Sequence, residues 1–311
     1  MIGIVVGLVA TAFVVKTLAS EWDRVRDSLA DANYAFIALG LVCACVAMTF
    51  IAAGWKDVLG LLGDHHGRWR VIGWYYLGEL GKYLPGGVWP VLGRGELARR
   101  GGVPRSRAYA SVGLSLASLY LAAAFVALVF LPFSLAGGGH LGAEMLLLLL
   151  LPVGLAALHP RVIEPLLGLA RRLSKRELEI PVPQWKDTVA VVARYVPAWV
   201  FVAASTWAVA RAIDPNAPVS RIAFAAVLSW IAGFVAVPVP AGAGVREAVF
   251  IAASGLDHGL GATVAVATRV LFIIADGGGA AVAAPFLRRT RAAAPEDDVG
   301  DGDPESQQPP F

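Results

Sequence analysis

From residue 34 to residue 55 the chain carries no charged side chain. A helix needs about 20 mostly apolar residues to cross the hydrocarbon layer of a bilayer, so this stretch alone predicts a spanning helix. Comparable uncharged runs occupy residues 108–136, 195–210 and 222–245. With 57% hydrophobic and 16% charged residues and a mean hydropathy of +0.66, the chain holds more apolar surface than one soluble core of 311 residues can bury. The excess must face lipid. The predicted class is therefore all-α, a polytopic integral membrane helical bundle of about seven spans.

Lysine and arginine lie in blocks between the apolar runs. Residues 94–107 hold Arg94, Arg99, Arg100, Arg105 and Arg107, and residues 159–194 hold seven more, whereas residues 135–143 and 213–219 hold none. Cytoplasmic connections collect positive charge, so the first two segments are expected inside and the other two outside, with both termini cytoplasmic. The net charge of +3 thus reports orientation, not nucleic-acid binding. Residues 2–15 read as a first span, because no basic segment precedes them as it would in a signal peptide, although Leu18-Ala19-Ser20 resembles a cleavage site. Residues 1–290 form one membrane domain in this reading, and residues 291–311 a disordered, acidic cytoplasmic tail. Residues 162–178 have an amphipathic spacing that suits either an inner-surface helix or a solvated linker. Tyr34, Trp55, Trp69 and Trp185, near span ends, are expected to anchor at the membrane interface.

Two segments break the helical pattern while staying apolar. The first, about 72–98, contains Gly81-Lys82-Tyr83-Leu84-Pro85-Gly86-Gly87-Val88-Trp89-Pro90, and the second, about 237–256, contains Pro238-Val239-Pro240-Ala241-Gly242-Ala243-Gly244-Val245-Arg246-Glu247. Pro85, Gly86, Gly87, Pro240, Gly242 and Gly244 forbid a continuous helix. Irregular backbone at membrane depth is tolerated only where protein covers it or where it lines a wet cavity. The orientation count makes the first a re-entrant hairpin from the cytoplasmic side and the second one from the outer side. Broken elements from opposite faces are the pattern of an inverted-repeat transporter, with its substrate site near the bilayer midplane.

The charges in these segments supply the candidate site. Glu79 and Lys82 are spaced to pair on one helical face, as are Glu96 and Arg99 or Arg100. Residues Gly242 to Val245 open a helix whose free N–H groups and positive dipole end favour an anion such as phosphate, and Arg246 beside them reinforces that preference. Glu247 is placed to orient Arg246 or to accept a headgroup hydrogen. Arg269 and Asp276 lie inside the last span, where a charge is costly and must face protein or water. Arg269 either meets the ligand or is locked to Asp276 or Glu247. The expected substrate-binding set is Lys82, Arg94, Arg246, Glu247 and Arg269, supported by Glu79, Glu96 and Asp276, any coupling proton falling to Glu79, Glu247 or Asp276. No cofactor or metal site is expected: the five histidines sit in loops or at span ends without ligand spacing, and Cys43 and Cys45 fall on different helix faces.

At Gly81-Lys82-Tyr83-Leu84-Pro85-Gly86-Gly87-Val88-Trp89 and at Pro240-Ala241-Gly242-Ala243-Gly244-Val245-Arg246-Glu247-Ala248 the chain resembles the lysylphosphatidylglycerol synthase transmembrane family, over nearly the whole apolar region. That family includes the lipid-flipping membrane half of the multiple peptide resistance factor and stand-alone flippase-like proteins of bacteria and archaea. The second motif is similar to its P-G-G-x-G-x-R-E pattern, with Ala241 where the family often has glycine. The resemblance implies a lipid translocase of the bacterial cytoplasmic membrane, with Arg246, Glu247 and Arg269 near the headgroup, and partners among envelope glycosyltransferases or lipid-modifying enzymes. Synthase members carry a separate aminoacyl-transferring domain. The sequence in hand ends soon after the last span, which disfavours that activity and leads us to expect a non-enzyme. Two other readings compete: a membrane glycosyltransferase using a lipid-phosphate donor, with Glu21 and Asp23 as its acidic residues, and a scaffold of envelope synthesis.

Overall fold

The computed structural model describes residues 32–83, 88–136, 146–165, 168, 180–235, 242 and 244–292. All regular structure among them is helical. The expected first span, residues 84–87, Pro240, most of the amphipathic stretch and the acidic tail beyond 292 lie outside the described residues.

Among the described residues four helices are long and apolar enough to cross a membrane: α1 (Tyr34–Leu61), α4 (Arg105–Ala136), α6 (Trp185–Ile213) and α9 (His258–Ala292). Between α1 and α4 lie α2 (Arg68–Glu79), a 3-10 turn (Leu80–Tyr83) and α3 (Trp89–Arg100). After α4 comes a further apolar helix, α5 (Leu146–Ala157), and between α6 and α9 lie α7 (Val219–Val235) and α8 (Val245–Ser254).

Helices α1 and α6 form the main antiparallel seam. Asn33 N–H, at the α1 N-cap, donates to Ala212 O (2.9 Å), Ser205 Oγ to Gly40 O (2.8 Å), and Arg194 pairs with Asp57 (2.9 Å) at the other end. Small residues make the seam close: Ala44, Ala47 and Ala52 are fully buried, and Gly54 lies flat against the Tyr195 ring, where a Cβ would collide. Two sequence expectations change here. Helix α6 begins ten residues before residue 195, because hydropathy marks only its lipid-depth portion and the polar turns carrying Lys186, Asp187 and Arg194 continue it. Trp55 is no interfacial anchor: it is fully buried and donates from Nε1 to Ser111 Oγ on α4 (3.0 Å), since α1 runs on past it to Leu61. Tyr34 and Trp69 do project outward, at 66% and 72% exposure.

Each broken segment folds back on itself. Arms α2 and α3 meet through glycines: a Cβ on Gly78 would stand 2.7 Å from Arg94 N, one on Gly93 3.2 Å from Gly78 Cα, and one on Gly81 2.8 Å from the Trp89 carbonyl carbon. Arms α7 and α8 do the same, with Gly242 against Gly233 (2.6 Å from a Cβ on Gly242 to Gly233 Cα) near the break and Gly255 against Arg221 at the far end. Gly242 and Gly244 both have positive φ, +64° and +82°, the left-handed region that glycine enters at little steric cost.

Helix α9 carries both hairpins. Ile251 of α8 rests on Gly261, Glu247 on Arg269, the 3-10 turn on Asp276, and Tyr76 of α2 on Gly279. The two breaks therefore approach each other along α9 from its two ends. Their contact points, Arg269 and Asp276, are about 10 Å apart at 1.5 Å per residue. The order helix, hairpin, helix thus occurs twice, as α1 to α4 and α6 to α9, with the hairpins lodged at opposite ends of the bundle.

Gly78→Ala is expected to force the arms of the first hairpin apart, at a cost of about 1–3 kcal/mol. Thermal unfolding of the detergent-purified variant measures this, with Gly113→Ala, where nothing lies within 4 Å of the added methyl, as the comparison expected to show no loss.

Candidate functional site

The second break is built around Glu247. Its Oε2 accepts from Gly244 N–H (2.6 Å), covering one of the free amides at the start of α8, and its Oε1 accepts from Arg269 Nη1 (2.6 Å). One carboxylate thus ties the helix start to α9, and it is engaged on both oxygens. Arg246, one residue earlier, is placed differently. Its stem passes the bare Cα of Gly233, its guanidinium stacks on the Trp230 ring (3.8 Å to the centroid), and among the described residues it makes no ion pair. A pocket opens here between Thr206, Ser229, Trp230, Arg246, Thr268 and Arg269. Thr268 Oγ1 and Arg269 Nη2 are buried in it without a hydrogen-bond partner. With Glu247 spent on Arg269, one positive charge is left over.

The first break is balanced in charge. Lys82 Nζ lies 2.7 Å from Asp276 Oδ2 and 3.4 Å from Glu79 Oε1, and Tyr83 OH donates to Asp276 Oδ2 at 2.6 Å. Arg94 Nε lies 4.0 Å from Glu79 Oε2 and donates to Pro90 O (3.3 Å), with its guanidinium over Tyr75 (5.3 Å). Two cations face two carboxylates. The sequence reading put Arg94 in a cytoplasmic connection, but it is only 2% exposed, because α3 starts at Trp89 and carries Arg94 inward against Gly78. Asp276 is fully buried, and its Oδ1 has no hydrogen-bond partner.

The candidate residues thus divide. Glu79, Lys82, Arg94 and Asp276 gather at the first break, and Arg246, Glu247 and Arg269 at the second. Arg269 and Asp276, spaced to share a face, are each claimed by a different hairpin. Glu96 stays apart from both, bound by Arg99 and Arg100 (2.8 Å each) on the exposed end of α3. Among the described residues no group of three His, Cys, Asp or Glu stands close enough to hold a metal ion.

An aromatic row that the sequence reading missed runs between the breaks. Tyr120 stacks on Phe234 (3.9 Å) and tilts against Trp199 (5.8 Å), which meets Trp230 edge-on (5.8 Å), and Trp230 meets Phe272 (5.1 Å). Trp230 offered a signal: it sits inside an apolar run that continues past it, not at a span end where interfacial tryptophans collect. Tyr83 and Thr268 offered none beyond adjacency to Lys82 and Arg269.

The sequence model of one protein family, described as the lysylphosphatidylglycerol synthase TM region, matches residues 1–282. The chain belongs to that family. A search of curated proteins returned no match. Membership makes this a multi-pass membrane protein of lipid-related function, in keeping with the four apolar spans.

Removing one partner of a largely buried pair strands the other. Arg269→Leu should therefore cost on the order of 3 kcal/mol, read from thermal unfolding in detergent, and Arg269→Leu/Glu247→Leu should recover part of the loss. Simple addition of the two single effects would show that the pair is not coupled.

Proposed function

We propose that the chain is a translocase that moves a phosphate-bearing lipid across the bacterial cytoplasmic membrane for envelope biogenesis. The observation that carries this reading is Arg246: a cation stacked on Trp230, without a protein counter-ion among the described residues, in a pocket that also presents Arg269 and the unpartnered hydroxyl of Thr268. Such a set lacks one negative charge and several hydrogen-bond acceptors, which a phosphate oxygen supplies. The position fits as well. In this reading α2–α3 and α7–α8 are re-entrant hairpins entering from opposite faces, the arginine-rich end of the bundle faces the cytoplasm, and the pocket lies near the midplane where the second hairpin turns. Irregular backbone at that depth has to border a wet cavity, which is what a polar headgroup needs while its acyl chains stay in lipid.

In this scheme Glu247 acts on the ligand indirectly. It holds Arg269 and the start of α8 so that the pocket keeps its shape and its surplus charge. Lys82 and Arg94, already balanced by Asp276 and Glu79, do not attract an anion at rest. The first contact therefore falls to Arg246.

Reconstitution in vesicles containing a fluorescent, headgroup-quenchable phosphatidylglycerol tests the reading. Quenching of the inner-leaflet label should exceed that in protein-free vesicles. Arg246→Ala, which removes a charge-assisted contact of about 1.5–3 kcal/mol, should slow it roughly 10- to 100-fold while leaving thermal stability intact. Wild-type rates equal to empty vesicles across phosphatidylglycerol, its aminoacylated form and a polyprenyl-phosphate-linked sugar would overturn it.

A further inference from the structure

The two breaks touch one helix seven residues apart and differ in charge. At the second, Arg246, Arg269 and Glu247 leave one positive charge unbalanced, so a singly charged phosphodiester enters without further change. At the first, Lys82 and Arg94 are balanced by Glu79 and Asp276, and Lys82 is held at 2.7 Å by a carboxylate that is fully buried. A phosphate reaching Lys82 would add a third anion to two cations in a low-dielectric interior, where an uncompensated charge costs several kcal/mol. That arrangement becomes neutral again only if one of the anions takes up a positive charge.

We propose that Asp276 takes up a proton as the phosphate arrives at Lys82, so that each phosphodiester headgroup passes the first break together with one proton. The proposal rests on the translocase reading and names its coupling ion. Asp276 is the acceptor because of its geometry. Oδ2 already receives Tyr83 OH and the Lys82 ammonium, whereas Oδ1 is buried with no hydrogen-bond partner and is free to bear the hydrogen. The proton goes to Oδ1, the Lys82–Asp276 ion pair opens, and the Lys82 ammonium turns to a phosphate oxygen. Glu79 keeps its hold on both Lys82 and Arg94. Charge balances throughout: one negative phosphodiester and one proton enter a neutral cluster and leave it neutral.

The one other carboxylate facing Asp276, Glu79, has a cation at each oxygen, Lys82 at Oε1 and Arg94 at Oε2. From α2 the groups facing Asp276 are Tyr75, Tyr76 and Glu79, the last paired with Arg94 of α3, from the turn Lys82 and Tyr83, and from α1 the thiol of Cys45. From α8 the charged groups are Arg246 and Glu247, two turns away at Arg269. Helix α6 has no charged side chain between Arg194, paired with Asp57, and Arg211, and its Tyr195 is bonded to Ser115 (2.8 Å). The Lys82–Tyr83–Asp276 clasp also ties the 3-10 turn to α9, and opening its Lys82 arm leaves Tyr83 as the hydrogen bond that holds the turn.

Two measurements on the full-length chain test this. In detergent, titration with phosphatidylglycerol in buffers of different ionisation enthalpy counts protons taken up per lipid bound. Wild type should take up about one and Asp276→Asn less than about one tenth, with Asp276→Glu restoring uptake. Deacylated glycerophosphoglycerol serves as a parallel ligand: uptake with it assigns the linkage to the phosphodiester itself, and uptake with the lipid alone assigns it to the inserted lipid. In vesicles, the wild-type translocation rate should fall by up to about tenfold per pH unit on the alkaline side, while Asp276→Asn, permanently neutral, gives a flat profile. Lipid binding without proton uptake by wild type overturns the proposal, as does a flat wild-type pH profile, and the translocase reading survives both. Proton uptake on binding without translocation above empty vesicles instead retires the translocase reading and leaves the linkage standing. Size-exclusion and thermal profiles identify a variant that fails to fold, in which case the wild-type measurements decide.

Discussion

A backbone amide or carbonyl without a partner inside hydrocarbon costs several kcal/mol, and the rest of this structure is arranged around that constraint. Two breaks in an apolar chain leave helix starts and ends inside the bundle, and both are covered from one side by α9. At the second break the cover is a single carboxylate, Glu247, shared between an amide of the helix start and Arg269. At the first it is the clasp of Lys82 and Tyr83 on Asp276. Neither α9 charge would be tolerable in a lipid-facing helix, and neither hairpin would have a polar seat without it. The helix and the breaks justify each other.

The two hairpins share a construction and differ in its outcome. In each, an arginine of the returning arm passes a glycine of the entering arm, Arg94 beside Gly78 and Arg246 beside Gly233, because only a residue without Cβ lets the guanidinium stem lie so close to the opposing backbone. Each arginine then stacks on aromatic rings, Arg94 over Tyr75 and Arg246 over Trp230. The difference lies in the carboxylates. Glu79 stands on the arm opposite Arg94 and engages it, whereas Glu247 neighbours Arg246 in sequence and points to Arg269 instead. A pair of similar folds therefore yields one neutral, closed cluster and one open cationic pocket. They stand about two turns apart along α9.

Much of this was legible in the residues. Charge-free runs give the spans, because hydrocarbon excludes ions, and proline with glycine gives the breaks, because the helical ladder cannot pass them. Short-range pairs such as Glu79–Lys82 and Glu96 with Arg99 and Arg100 follow from helical spacing alone. Long-range partnerships did not follow. Periodicity places Arg269 and Asp276 on one face but says nothing about which hairpin lies over each. The same ambiguity put Arg94 in a connecting loop and Trp55 at the membrane surface, when helix packing buries both.

Sequence by itself determined that this chain lives in a membrane, where its helices break, and that it keeps charges among its apolar runs, since each of those depends on local composition and backbone stereochemistry. Only the tertiary structure decided which charge is paired. Glu247, Asp276, Arg246 and Lys82 are alike in being ionic residues in apolar surroundings. Whether each is neutralised or left to meet a ligand depends on distances of 2.6 to 4.0 Å across helices far apart in the chain, and those distances are set by glycine contacts and by the position of α9 between the two hairpins.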